Sequence, residues 1–152
     1  MAVGKVRGAM EAPVSEYEER AGRYWKLDVV EVEAGAPGRG SPADRVKEAE
    51  AERILARIPD GFTVLALTRT GMGMGSRELA ELLEGEAVRS APGVSFVLGG
   101  AFGLSPRVLE RADRRISLSP MTLPHEMARL VLAEQLYRAG TILRGEPYHK
   151  GA

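Results

Sequence analysis

The chain has no cysteine among its 152 residues. That excludes a disulfide framework, a thiolate metal site and a cysteine nucleophile, and it fits a cytoplasmic protein. Histidine is nearly as scarce, with only His125 and His149. Two distant imidazoles and scattered carboxylates do not make a zinc-type site, so no metal is expected. Aromatics make up 5% of the chain, which makes the core aliphatic. Charge of one sign is also missing: 21 Lys and Arg stand against 21 Asp and Glu. A bulk electrostatic grip on nucleic acid is thereby excluded, and any contact with RNA needs a local basic patch or a pre-shaped target. No run approaches the roughly 18 apolar residues of a membrane span. The start, "MAVGKVRGAM", has no signal-peptide core. Several sequence motifs are absent too. There is no G-x-S-x-G elbow, no phosphate-loop Gly-Lys-Ser/Thr and no G-x-G-x-x-G fingerprint.

What is present is an alternation of strand-like and helix-like segments across one domain, residues 1–152. "AVGK" reads as the end of a first strand, short for a parallel sheet because little precedes it. Tyr17, Ala21 and Tyr24 share one side of a predicted helix over 14–25. Residues 26–34 contain a strand, with Leu27, Val29 and Glu31 facing one way and Val30 and Val32 the other. In the loop 35–44, Ser41 is the expected cap and Pro42 the first residue of the next helix. "GFTVLALT" and "GVSFVLGG" are nearly all apolar, as strands are when both sheet faces are covered. "RTGMGMGS" predicts a glycine-rich loop with Ser76 capping the following helix, and Ser105-Pro106 opens another. A short strand over 115–119 leads into the longest helix, and the chain ends in "TILRGEPYHKGA". The pattern predicts an α/β fold: a parallel sheet with helices on both faces.

In such a sheet ligands gather beyond the carboxyl ends of the strands. Three loops belong there: "TRTGMGMGS", "LGGAFGLSP" and "LSPMTLPHE". Their glycines allow close backbone approach and supply free N–H donors. His125 stands at the mouth of the long helix, behind Pro124 and ahead of Glu126, which complements the positive helix end. Within that helix Met127, Leu130, Val131, Glu134 and Arg138 form one stripe, and Leu132, Leu136 and Ala139 an adjacent one. A helix this broadly apolar is core or a subunit interface. Arg138 reads either as a favourable cation at the helix end or as a functional group. Arg144, Tyr148, His149 and Lys150 in the tail suit either a solvated terminus or contact with an RNA backbone and an unstacked base.

The combination of "VLGGAFGLSP", "LSPMTLPHEMARLVLAEQLYRA" and a terminal "PYHK", with "AVGK" and "VEAG" upstream, resembles the RlmH family over nearly the whole chain. These are small bacterial methyltransferases that modify N3 of a pseudouridine in large-subunit ribosomal RNA within the assembled ribosome. The resemblance implies a SPOUT fold with a C-terminal trefoil knot, an obligate homodimer and bound S-adenosylmethionine. It carries over cofactor positions to Leu67, Gly100, Ser119, Pro120, Met121, Thr122, Leu123 and Pro124. It places His125, Arg138, Tyr148 and His149 near the RNA and the reaction centre, the tail of one subunit completing the site of the other. Two departures stand out: Phe102 is a bulky apolar choice in a variable pair, and the first strand is shorter than the family's.

The implied reaction is methyl transfer to an imide nitrogen that must first lose its proton. Arg138 or a histidine is a candidate donor to the developing anion. His125 or His149 is a candidate proton acceptor with a pKa near neutrality. A different class of function uses the same loops: a cofactor-binding or ribosome-associated module without catalysis.

Overall fold

The first residues of the chain form an interior strand of its sheet. A computed structural model describes residues 1–36, 38 and 40–149, with His149 described in its backbone alone. Among these residues β1 (Ala2–Val3), β2 (Glu31–Val32), β3 (Thr63–Gly73), β4 (Val94–Leu98) and β5 (Arg114–Ser117) form one parallel sheet in the order β2-β1-β4-β3-β5. The helices are α1 (Glu11–Ala21), α2 (Ala43–Leu55), α3 (Ser76–Val88), α4 (Pro106–Arg111) and α5 (His125–Leu143).

The alternation of side chains along each strand divides the core in two. Leu65, Phe96, Leu98 and Ile116 meet Ala21 of α1, Leu79 and Leu83 of α3, and Leu132, Leu136 and Ala139 of α5. Val3, Val32, Val64 and Val97 point the other way, onto Ala51 and Ile54 of α2 and Val108 of α4. Helices therefore cover both faces, as the apolar runs of β3 and β4 predict.

Several local expectations are corrected. The strand foreseen over 26–34 pairs only at Glu31–Val32, because its partner β1 offers two residues. Lys26 to Val30 approach the sheet without joining it, apart from the Ala2 N–H donating to the Val30 carbonyl at 2.9 Å. The first helix begins earlier, at Glu11, and ends at Ala21 rather than Trp25, with Gly22 as its C-cap. Pro42, not Ser41, is the N-cap of α2, and the Ser41 hydroxyl donates to the Gly38 carbonyl at 2.9 Å. Gly75 caps α3, where its N–H donates to Glu78 at 2.6 Å. Ser76 is the first helical residue instead, and its hydroxyl reaches Gln135 of α5 at 2.7 Å.

The largest difference is in "RTGMG", which is strand, not loop. β3 runs on to Gly73, and both Leu67 and Met72 lie opposite Ile116. The intervening residues bow out, and the Thr70 N–H donates to the Thr68 hydroxyl at 3.1 Å. Glycine is needed at position 71, because a Cβ there would lie 2.5–2.7 Å from the Ile116 backbone. Ser105-Pro106 behaves as expected: the Ser105 hydroxyl accepts from the Arg107 N–H at 3.1 Å.

Candidate functional site

Strand order reverses at the β1/β4 boundary, where parallel sheets open a crevice at their carboxyl ends. A cleft of about 1350 Å³ lies there. Gly4, Lys5 and Arg7 line it after β1, and Glu33 and Ala34 after β2. Leu67, Thr68 and Arg69 border it from β3; Gly99, Gly100, Ala101, Gly103 and Leu104 follow β4. The wall closes with Leu118, Ser119, Met121, Thr122, Leu123, Pro124 and His125. Each of the three loops singled out in the sequence thus contributes. The first does so only through Thr68 and Arg69, since Met72, Gly73 and Met74 face a separate hollow beside α3.

The post-β4 turn is built for close approach. The Gly103 N–H donates to the Gly100 carbonyl at 3.0 Å, and Gly103 has φ 77°, a left-handed conformation that favours glycine. A Cβ on Gly99 would stand 2.7 Å from the Gly103 carbonyl carbon. One on Gly100 would stand 2.9 Å from the Glu50 carboxylate and 3.0 Å from Val3. Opposite, the Ser117 hydroxyl donates to the Ser119 carbonyl at 2.8 Å, and the Ser119 hydroxyl accepts from the Met121 N–H at 3.0 Å. These bonds hold 119–121 as a compact turn with Met121 exposed and Pro120 outside the lining.

His125 opens α5 after Pro124, which stands at the N-cap in an extended conformation. Its imidazole packs where β1 ends: Nε2 lies 3.8 Å from the place a Cβ on Gly4 would take. Among the described residues, the buried side-chain polar atoms without a hydrogen-bond partner are His125 Nδ1 and Glu50 Oε2. His125 lines this cleft, and Glu50 lies behind its post-β4 wall, on the opposite face of the sheet. Buried polar atoms are normally satisfied, so one orphan in the lining and another behind its wall single out this part of the fold.

Arg138 and Tyr148 are not at the cleft. Arg138 follows His125 by 13 positions, about 20 Å along a helix at 1.5 Å per residue, and Tyr148 packs back against Arg138 and Glu134. Nor does Arg138 end its helix, which continues to Leu143. It pairs instead with Glu134 at 2.5 Å and lies 4.9 Å from the centre of the Tyr148 ring. Tyr148 sits in a 3-10 turn, Pro147–His149, where its hydroxyl bonds Glu134 at 3.2 Å and Tyr17 at 3.4 Å. Its ring centre lies 4.5 Å from that of Tyr137. Burial, then the Tyr17 hydrogen bond and the Glu134 charge, push the Tyr148 hydroxyl well above the usual phenol range. The hydrogen bonds that Arg138 donates to Glu134 likewise hold its guanidinium more firmly protonated. The side chain of His149 and all of Lys150 lie outside the described residues.

Sequence reasoning passed over Glu50. Its signal was available: Val46, Glu50 and Ile54 recur at i, i+4 and i+8, which puts a carboxylate on the apolar stripe of α2. The cations Lys5, Arg7 and Arg69 at the cleft were missed as well, because they come together only through the topology.

Comparison with known proteins follows this geometry closely in extent. A family profile described as "Predicted SPOUT methyltransferase" matches residues 1–149. The chain is 54% identical over 151 residues to a protein of Gemmatimonas aurantiaca named ribosomal RNA large subunit methyltransferase H, covering 99% of this chain and 97% of that one. It is 45% identical over 152 residues to the protein of that name from Ligilactobacillus salivarius, with 97% and 96% covered. The counterpart in Syntrophotalea carbinolica is 43% identical over 150 residues, with 98% and 96% covered.

Proposed function

Because this chain belongs to the SPOUT methyltransferase family, alongside the large subunit methyltransferases H, we propose that it methylates N3 of a pseudouridine in large-subunit ribosomal RNA. The substrate is the assembled ribosome, and the methyl donor is S-adenosylmethionine. The observation that carries the reading is the glycine-walled cleft at the β1/β4 switch point, together with the names of relatives that align end to end.

The residues present suit such a donor. The cleft has room for a nucleoside joined to an amino acid, and its post-β4 wall is a backbone cradle that a Cβ at position 100 would fill. Leu67, Gly100, Ser119, Pro120, Met121, Thr122, Leu123 and Pro124 would hold it, chiefly through backbone and apolar contacts. The cofactor supplies an electrophilic methyl group on a cationic sulfur. No lysine or arginine is needed against that sulfur, and the lining 118–124 carries none.

The protein's own task is to align the imide nitrogen and manage its proton. His125, beside Gly4 with Nδ1 free, can take or relay a proton at the cleft. Tyr148 acts as a neutral hydroxyl and Arg138 as a fixed cation that stabilises developing negative charge. One subunit keeps Arg138, and Tyr148 packed against it, well along α5 from its own His125. In a homodimer, Arg138, Tyr148 and His149 of each chain complete the cleft of the other. The C-terminal segment that carries Ser119 to Pro124 into α5 forms the trefoil knot of the family.

The test is transfer of labelled methyl from S-adenosylmethionine to ribosomes taken from a strain lacking this protein, against free ribosomal RNA. Label at a pseudouridine in ribosomes alone is the expected result. Bound cofactor with no label in either would replace the enzyme by a binding module.

A further inference from the structure

Glu50 is 3% exposed, and its carboxylate is only half satisfied. Oε1 accepts the Gly35 N–H at 2.8 Å, while Oε2 has no partner among the described residues. The cation one turn further along α2 does not neutralise it. Arg53 instead donates to the Glu33 and Gly35 carbonyls at 2.9 and 2.7 Å. Glu50 and Arg53 therefore grip the same loop, whose Glu33 and Ala34 form one wall of the cleft.

The carboxylate faces the other wall with both oxygens. A Cβ on Gly100 would lie 2.9 Å from Oε2 and 3.0 Å from Oε1, so the carboxylate is packed directly behind the post-β4 turn. It does not itself line the cleft, and a ligand cannot reach it without displacing that turn. The backbone packed against it is that of the turn. Among the described residues the Ala101 and Phe102 N–H groups have no protein acceptor, and both residues are exposed.

We propose that Glu50 is a positioning residue for the cofactor wall: Oε1 fixes the Gly35 loop, and Oε2 accepts a backbone N–H of the 99–103 turn when cofactor seats against it. The two walls of the cleft are thereby set by one carboxylate, and cofactor binding completes its hydrogen bonding. The inference rests on the cofactor reading above.

Glu50→Gln isolates the second oxygen. The amide oxygen keeps the Gly35 contact, while the amide nitrogen, a donor, stands where Oε2 accepted. In titration calorimetry of the full chain with S-adenosylmethionine, the variant is expected to bind about tenfold more weakly or worse. Its unliganded melting temperature should be no lower than wild type, and kcat at saturating cofactor should be close to wild type. Wild-type binding with Glu50→Gln affinity within about twofold overturns this proposal alone. A wild-type chain that binds no S-adenosylmethionine overturns the cofactor reading and this proposal with it. Should Glu50→Gln fail to fold, amide exchange on wild type decides: cofactor must slow exchange within 99–103, and unchanged exchange overturns the proposal.

Discussion

Arg129 grips Glu18 with two hydrogen bonds, Nε to Oε1 at 2.6 Å and Nη2 to Oε2 at 3.2 Å. Its third nitrogen, Nη1, donates to Glu31 at 2.6 Å. One guanidinium thus ties α5 to α1 and to β2, at the edge of the cleft that Glu31 lines. Burial alone would weaken its charge, but the hydrogen bonds it donates to both carboxylates more than offset that, so it is held more firmly protonated than a free arginine.

Arg129→Met keeps the aliphatic stem and removes the charge, leaving Glu18 and Glu31 facing each other with the arginine gone. The side chains are 10%, 19% and 30% exposed, so solvent compensates only in part. Loss of about 2–4 kcal/mol of unfolding free energy is expected in urea titration. Adding Glu18→Gln should recover part of it. A single variant as stable as wild type would show that the triad contributes nothing net.

Gly140 is the point of closest approach between α5 and the residues after α1. A Cβ there would lie 2.6 Å from Tyr24 Cβ and Cδ1. Tyr24 cannot yield easily: its hydroxyl donates to Glu146, and the Arg144 guanidinium lies 4.5 Å from its ring centre. Alanine would gain roughly 1 kcal/mol in helix propensity. Overpacking costs about 1–3 kcal/mol, and here a pinned ring takes the strain. Gly140→Ala should therefore melt lower than wild type by several degrees; a higher melting temperature would mean that Tyr24 swings away freely.

Much of this architecture was legible because it depends on local periodicity. The apolar runs of β3 and β4, the Ser105-Pro106 start of α4 and the broad stripe of α5 needed no partner to be recognised. The cleft was legible for a related reason, since parallel topology alone sends the loops after β4 and β5 to one sheet edge, where of "TRTGMGMGS" only Thr68 and Arg69 join them. Features set by a distant partner were not legible. β2 shrank because β1 is short, and "RTGMG" became strand because its Met72 and Gly73 pair with Ile116 and Ser117. The partners of Arg129 lie 111 and 98 residues away in sequence, so its role could not be assigned from the helix alone. Glu50 was hidden in a run of charge, although its spacing from Val46 and Ile54 carried the signal. His125 and Tyr148 were grouped by resemblance, and the single chain holds them apart.

The raised Tyr148 hydroxyl has a pH consequence of definite sign. Its folded pKa lies above the unfolded value of 10.0, so its contribution to stability is full below pH 10. That contribution is lost as pH rises further, because the unfolded chain gives up its phenol proton first. Urea midpoints of wild type should fall between pH 9 and pH 11, and the Tyr148→Phe slope should be shallower. Tyr24, also raised by its hydrogen bond to Glu146, leaves a residual slope. Parallel slopes for both proteins would show that Tyr148 titrates as an ordinary phenol.

The separation of His125 from Tyr148 makes the composite site testable by mixing two inactive chains. His125→Ala removes the cleft residue and leaves the tail intact; Tyr148→Ala does the reverse, removing the ring that packs on Tyr137 and faces Arg138. Each homodimer should be severely impaired in methyl transfer. After subunit exchange at equal concentrations, half the dimers are mixed, and each holds one site with an intact cleft and an intact partner tail. Turnover of about a quarter of wild type is then expected, by the two-fold symmetry of the assembly. If each site were completed within a single chain, no mixed dimer would contain an intact site, and mixing would restore nothing. Exchange itself is checked independently by mass-tagging one variant, so a silent mixture reports on the site and not on failed exchange.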